Sequence, residues 1–482
     1  MFKKIMTCLF ISFVIIFTSC ASAPKGDMGN YYESIQGESY LELQESNFIN
    51  TNENNKVNIS MDSSNAGYSN LRRIIKQGAK IYKDAVNIEQ MLNYFNYSYV
   101  NETSDQLTSF LEMANCPWNE QNKLLSVAIK AKDYQLDQDT ANNFVFLLDV
   151  SGSMNSANKL PLMIEAFKIL IDNLNDNDRV SIVTYAGNNQ VLLEGAYGFE
   201  KPKISAIISD LSASGSTAGS AGIKTAYEIA SKYFIEGGNN RVFLATDGDF
   251  NVGISSTSGL EKFISKKRET GVYLSLFGFG TGNLHSSTMD TLASAGNGNY
   301  YYIDSILEAQ KVFISELGGT LLTVAKDVKA QIEFNPEIVK SYRLIGYENK
   351  TLTDEEFEND ETDAGEIGAG HTVICMIEVV LQENVSLENA DYITKCTLKY
   401  KDVRDNELNK EVIKTLNTIT NNPSNDFIFA SSVVEFGLLL RDSSYKANAS
   451  YDAILARVNN DNFTNDSYKK EFCELVNMMN DR

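Results

Sequence analysis

The spacing of apolar and polar positions changes character several times along this chain. Residues 21–65 are rich in Asn, Ser, Glu and Gly without a sustained apolar repeat, which predicts a flexible tether. From Ser69 a helical spacing begins, with Leu71, Ile74 and Ile75, then Ala85, Ile88, Met91 and Leu92 in a second short helix ending near Phe95. Segments 108–118 and 123–134 read as strands, Leu124-Leu-Ser-Val-Ala-Ile-Lys130 being the clearer.

Residues 142–320 then alternate between the two periods. Strands are predicted at 143–149, Val180–Tyr185, Gln190–Leu193, Arg241–Thr246, Val272–Phe277 and Tyr300–Ile303. Amphipathic helices are predicted between and after them, at about 159–174, 203–211, 219–234, 258–269, 286–294 and 305–319. Such alternation implies an α/β fold, a doubly wound, mostly parallel sheet whose ligands bind beyond the carboxyl ends of its strands.

After Thr323 the period shortens again. Asp327–Phe334, Ile338–Tyr347, His371–Leu381 and Tyr392–Lys401 alternate like antiparallel strands, and the acidic run Asp354–Asp363 reads as a solvated loop. Helical spacing returns in Phe427–Leu440, Ala449–Val458 and Tyr468–Met479. The two strands of 108–134 are too few to stand alone. They are expected to complete a β-sandwich with the strands of 325–405, so that the α/β unit is inserted into a split β-domain.

The chemistry concentrates where two of these strands end. Phe144-Val-Phe-Leu-Leu148 is too short for a helix and lacks alternation, as suits a strand buried on both faces. It runs into Asp149-Val-Ser151-Gly-Ser153-Met154, which sets one carboxylate and two hydroxyls at alternate positions around a glycine. Oxygens so spaced on a turn can converge on a hard divalent cation such as Mg²⁺. Gly215-Ser-Thr217-Ala-Gly219 offers another hydroxyl, and the strand Arg241–Thr246 ends in Asp247-Gly-Asp249.

Together these segments resemble the metal-ion-dependent adhesion site, MIDAS, of von Willebrand factor type A (VWA) domains. Asp149, Ser151 and Ser153 match its D-x-S-x-S segment, Thr217 its loop threonine and Asp247 its distal aspartate. The resemblance implies Mg²⁺, or Mn²⁺, held by these five residues. Asp249 is expected to support Asp247 from behind or to contact a metal-bound water. A partner protein's Asp or Glu would fill the remaining coordination position.

Further segments carry a wider resemblance, among them Leu71-Arg-Arg, Cys116-Pro-Trp118-Asn119, Ala245-Thr-Asp-Gly-Asp-Phe-Asn-Val-Gly253, Gly365-Glu-Ile-Gly-Ala-Gly-His371 and Glu435-Phe-Gly-Leu-Leu-Leu-Arg441. They are similar to the YfbK-type bacterial lipoproteins, in which a VWA domain lies between an amino-terminal VWA-associated region and a carboxy-terminal domain of unknown function. Lys3 and Lys4, the apolar stretch Leu9–Phe17, and Phe17-Thr-Ser19-Cys20-Ala21 resemble a bacterial lipoprotein signal. Cys20 would carry the lipid that anchors the chain outside a membrane, and Ala21 after it would permit passage to an outer membrane. The expected organisation is a signal peptide at 1–19, a tether at 20–65, the VWA-associated region at 66–140, the VWA domain at 141–322, a β-rich domain at 323–425 and helices at 426–482.

Charge and cysteine content narrow the partners. With 42 basic and 63 acidic residues the net charge is −21, which argues against nucleic acid and anionic headgroups as partners. Apart from Cys8 and Cys20, the cysteines are Cys116, Cys375, Cys396 and Cys473; none forms a C-x-x-C pair, so structural zinc is not expected. Cys375 and Cys396 lie in strand-like segments and are either paired or buried as free thiols.

Catalytic motifs are not expected. There are two histidines, His285 and His371, and no G-x-S-x-G elbow or Walker A sequence. Gly278-Phe-Gly280-Thr-Gly282 lacks the third glycine of a dinucleotide loop and reads as a turn needing positive φ. Binding without turnover is the leading expectation. The alternatives are a scaffold in envelope assembly with a dispensable metal site, and a metal-assisted hydrolase using Asp249 or His285 as base.

Overall fold

The computed structural model describes residues 31–33, 38–61, 64–134, 141–215, 219–248, 257–281, 285–316, 322–387, 390–405 and 407–482. Cys20 and the predicted signal lie outside them, as do Thr217 and Asp249. Six strands precede the α/β unit: the ribbon β1 (Tyr31–Glu33) and β2 (Ser39–Leu41), β3 (Ile49–Asn50), β4 (Lys56–Ser60), and the hairpin of β5 (Leu107–Asn115) and β6 (Lys123–Ala131). The unit itself contributes β7 (Asn142–Asp149), β8 (Arg179–Ala186), β9 (Asn188–Tyr197), β10 (Asn239–Thr246), β11 (Val272–Phe279) and β12 (Tyr300–Ile303). The rest of the chain adds β13 (Thr323–Phe334), β14 (Val339–Ile345), β15 (Thr351–Leu352), β16 (Gly365–Gly368), β17 (Thr372–Leu381), β18 (Thr394–Asp402) and β19 (Leu408–Leu416).

The α/β sheet has the order β12-β11-β10-β7-β8-β9. All its pairs are parallel except β8–β9, a hairpin that turns at Gly187. Helices cover both faces. Phe144, Phe146 and Leu148 of β7 enter one core, and Val145 and Leu147 the other. Burial on both faces is why this strand shows no alternation in its sequence. β7 and β10 are central neighbours, so the residues that follow them emerge side by side at one edge.

The split β-domain is present. β6 pairs with β17 on one side and β5 on the other, although the whole α/β unit separates β6 from β17 in sequence. They belong to the antiparallel sheet β3-β14-β17-β6-β5, which faces the sheet β15-β4-β13-β18-β19 across an apolar core. On β17, Val373, Cys375 and Ile377 enter that core, while Ile374 and Met376 point outward beneath Phe427, Val433 and Phe436 of the helix Asn425–Arg441. The carboxy-terminal helices thus form a third layer. No helix among the described residues is long and apolar enough to cross a membrane.

Three expectations require correction. The tether predicted through residue 65 ends earlier, because β4 pairs with both β13 and β15 and buries Val57 and Ile59 in the sandwich. Its five-residue alternation is lost among the surrounding asparagines. The acidic run is not simply a loop: Asp354–Glu358 forms a helical turn, with Thr353 and Glu356 in a reciprocal capping box. The helix expected at 305–319 is found over Ile306–Glu316, but only Ile306–Gln310 is α-helical; Lys311–Glu316 winds as a π-helix, and 317–319 lie outside the described residues. Cys375 and Cys396 are buried free thiols on opposing sheets.

The layers are pinned by Arg72 on the helix Ala66–Lys76. Its guanidinium, 1% exposed, donates to Asp304 after β12 at 2.9 and 2.5 Å, Glu308 at 2.8 Å, Glu471 of the last helix at 2.9 Å and the Tyr94 hydroxyl at 2.8 Å. One side chain therefore joins the amino-terminal region, the α/β unit and the carboxy-terminal helices.

His371, just before β17, predicts a pH effect on this framework. Burial, reinforced by Lys311 and Lys130 nearby, lowers its imidazole from 6.5 to about 4. Between those values the unfolded chain binds the proton more readily, so stability is lost as pH falls through that window. The fall in stability from pH 7 to pH 5, read from urea midpoints, should be about 1–2 kcal/mol smaller in His371→Gln than in the wild type. Equal losses in both proteins would refute the assignment.

Candidate metal centre

Asp149 closes β7 and is fully buried. One carboxylate oxygen accepts the Ser151 backbone N–H at 2.9 Å, folding the chain back over the aspartate, and the other accepts the Thr246 hydroxyl of β10 at 3.3 Å. The Tyr185 phenol from β8 also faces it. Burial raises the Asp149 carboxyl from 3.8 to about 6; its hydrogen bonds to Ser151 oppose the shift and neighbouring Asp247 adds to it.

Gly152–Met154 forms a single helical turn that places the Ser151 and Ser153 hydroxyls 3.0 Å apart. Met154 anchors this turn in the core. Ser151 is buried and Ser153 exposed, so the pair leads from the carboxylate out to solvent. The turn is also fastened to the loop that carries Thr217. Gly152 N–H donates to Gly215 O at 3.0 Å and Ser214 N–H to Val150 O at 2.8 Å. A Cβ on Gly152 would stand 3.2 Å from Gly215 O, which accounts for the glycine between the serines.

Asp247 follows β10, fully buried, and Gly248 takes φ +98° directly after it. In the register of β7 with β10, Leu148 lies opposite Ala245, so the residues that follow, Asp149 and Asp247, emerge together. Asp247 accepts an ion-pair hydrogen bond at 2.8 Å from Lys159, which is itself 9% exposed at the side chain. The Lys159 stem crosses Gly280, where a Cβ would fall 2.3 Å from the Lys159 Cγ. Gly280 has φ +79°, as expected of a turn glycine.

Four of the predicted residues, Asp149, Ser151, Ser153 and Asp247, are thus gathered at one sheet edge. Thr217 and Asp249 lie outside the described residues. Among the described residues no three His, Cys, Asp or Glu side chains form a metal-binding group, so a cation here must draw on hydroxyls as well as carboxylates. Two buried carboxylates beside a hydroxyl pair suit a hard divalent ion. His285 is exposed, at the amino-terminal cap of the helix Ser286–Ala295, where its side chain makes no capping bond.

Lys159 was not anticipated from the sequence, although a signal existed. A lysine occupies the cap position before the helix Leu160–Asp172, where the helix dipole disfavours positive charge and small polar residues are usual. A cation placed there implies a nearby anion.

Three family matches divide the chain. Residues 34–126 match a family described as von Willebrand factor, 143–314 the von Willebrand factor type A domain, and 319–481 the carboxy-terminal domain of uncharacterized protein YfbK. The chain is 42% identical over 420 residues to uncharacterized protein YfbK of Escherichia coli (strain K12), covering 82% of this chain and 72% of that protein. Among solved structures, a von Willebrand factor type A protein from Catenulispora acidiphila aligns with 79% of this chain and 91% of its own at 15% identity, TM-score 0.42. Proximal thread matrix protein 1 from the mussel byssus, with a zinc-occupied MIDAS motif, aligns with 40% of this chain and 47% of its own at 22% identity, TM-score 0.31. With a VWA domain followed by the YfbK carboxy-terminal domain, and with this identity over most of its length, the chain belongs to the YfbK family.

Proposed function

We propose that this protein is a surface-tethered, metal-dependent protein-binding lipoprotein of adhesion type, without catalytic turnover. Asp149, Ser151, Ser153, Thr217 and Asp247 would hold Mg²⁺, with Mn²⁺ a possible substitute, and the lipid would be carried on Cys20. The observation supporting this reading is the pairing of two fully buried carboxylates with a hydroxyl pair 3.0 Å apart at the edge of a parallel sheet. Such a metal supplies an electrophilic position for a carboxylate. The chain's own groups set that strength: the serine hydroxyls donate without adding charge, and two carboxylates only balance a dication. Asp149 is oriented in advance by the Ser151 N–H and the Thr246 hydroxyl. The partner is therefore a protein presenting an Asp or Glu, with the surrounding acidic surface repelling non-specific anions.

The test is capture of a partner from envelope extract, followed by calorimetry of Mg²⁺ with the folded ectodomain. Capture should be lost in EDTA and in Asp149→Ala, and incorporation of labelled palmitate should be lost in Cys20→Ser. Capture unchanged by EDTA would overturn the binding mechanism, and labelling unchanged in Cys20→Ser would overturn the anchor.

A further inference from the structure

Asp247 is already engaged by a cation that belongs to the chain. The Lys159–Asp247 pair is buried on both sides, at 9% and 0% exposure. It is also built for. Gly280 lacks the Cβ that would overlap the lysine stem, and the helix Leu160–Asp172 begins with a lysine where a small polar residue would cap it better.

We propose that Lys159 is the built-in counter-cation of the metal site: its ammonium holds Asp247 in place when no metal is bound and competes with a divalent ion for that carboxylate. The inference rests on the metal-binding reading above and adds its regulation. Without metal, Asp149 and Asp247 carry two negative charges and Lys159 offsets one. With a dication bound, the same lysine leaves the cluster one charge positive. Lys159 thus weakens retention of the metal, because like charges at short range in a partly desolvated site repel strongly. It also raises the attraction of the loaded site for a partner's carboxylate.

The experiment is calorimetry of Mg²⁺ and of Mn²⁺ with wild type, Lys159→Met and Lys159→Gln. Both variants remove the charge, and glutamine keeps a donor for Asp247, which protects folding. Each variant should bind Mg²⁺ about tenfold more tightly than wild type. In EDTA each should melt at a lower temperature than wild type, and Mg²⁺ should raise its melting temperature by more. Wild-type uptake with unchanged or weaker uptake in the variants would overturn this inference alone. No uptake by any of the three proteins would overturn the metal-binding reading as well.

Discussion

Replacing Arg72 with methionine is expected to destabilise the protein by about 3 kcal/mol, within the range of about 3–5 kcal/mol that follows removal of one partner from a buried ion pair. The guanidinium is 1% exposed and serves Asp304, Glu308 and Glu471, whose side chains are 9%, 2% and 11% exposed. Methionine fills much of the same volume, so the loss is mainly electrostatic. The lower end is expected because two of the carboxylates keep another cation. Glu471 retains Lys76 at 2.5 Å, and Glu308 still interacts with buried Lys311. Asp304 has no second ion pair among the described residues. Urea unfolding of Arg72→Met against wild type measures the difference, and adding Asp304→Asn should recover part of it. By contrast, removing Lys203 from its solvent-screened pair with Glu200 should leave the unfolding midpoint nearly unchanged. An Arg72→Met midpoint that matched the Lys203 variant's would show that the layers are not joined as described.

The parts of this fold that were legible in the sequence are those whose periodicity follows local burial. β7 and β10 are buried on both faces and read as unbroken apolar runs; the hairpin β5–β6 reads as incomplete because two strands cannot close a core. What was missed has its cause at long range. β19 is an edge strand, largely exposed and studded with Lys410, Glu411 and Lys414, so it lacks the apolar alternation that marks a strand. β4 is recruited by β13, almost 270 residues away, and that pairing leaves no local trace. The site behaved in the same way. Asp149, Ser151 and Ser153 are legible because a strand end and a turn lie within five consecutive residues, whereas the Lys159–Asp247 pair spans 88 residues.

Asp149→Asn should make the metal-free protein more stable while removing its response to metal. The wild-type carboxyl is raised to about 6 by burial, with Asp247 adding to the shift. A carboxyl raised in the folded state favours folding at low pH, and that contribution is lost as pH rises from 3.8 to about 6. At pH 7.5 the wild type therefore carries an ionised group that the folded state disfavours. Asparagine keeps an acceptor for the Ser151 N–H, now at 2.9 Å, and removes the charge. In EDTA at pH 7.5 the variant should gain about 1–2 kcal/mol, and the gain should vanish near pH 4. In Mg²⁺ the order should reverse, since an amide oxygen is a far weaker ligand for a dication than a carboxylate. Affinity should fall at least about a hundredfold, equivalent to about 2.7 kcal/mol. Melting curves of both proteins with EDTA and with Mg²⁺ measure all of these differences. An equal rise in melting temperature on adding Mg²⁺ to Asp149→Asn and to wild type would remove Asp149 from the metal site. A reversal would mean that the charge weakening the metal-free fold is the same charge that holds the ion.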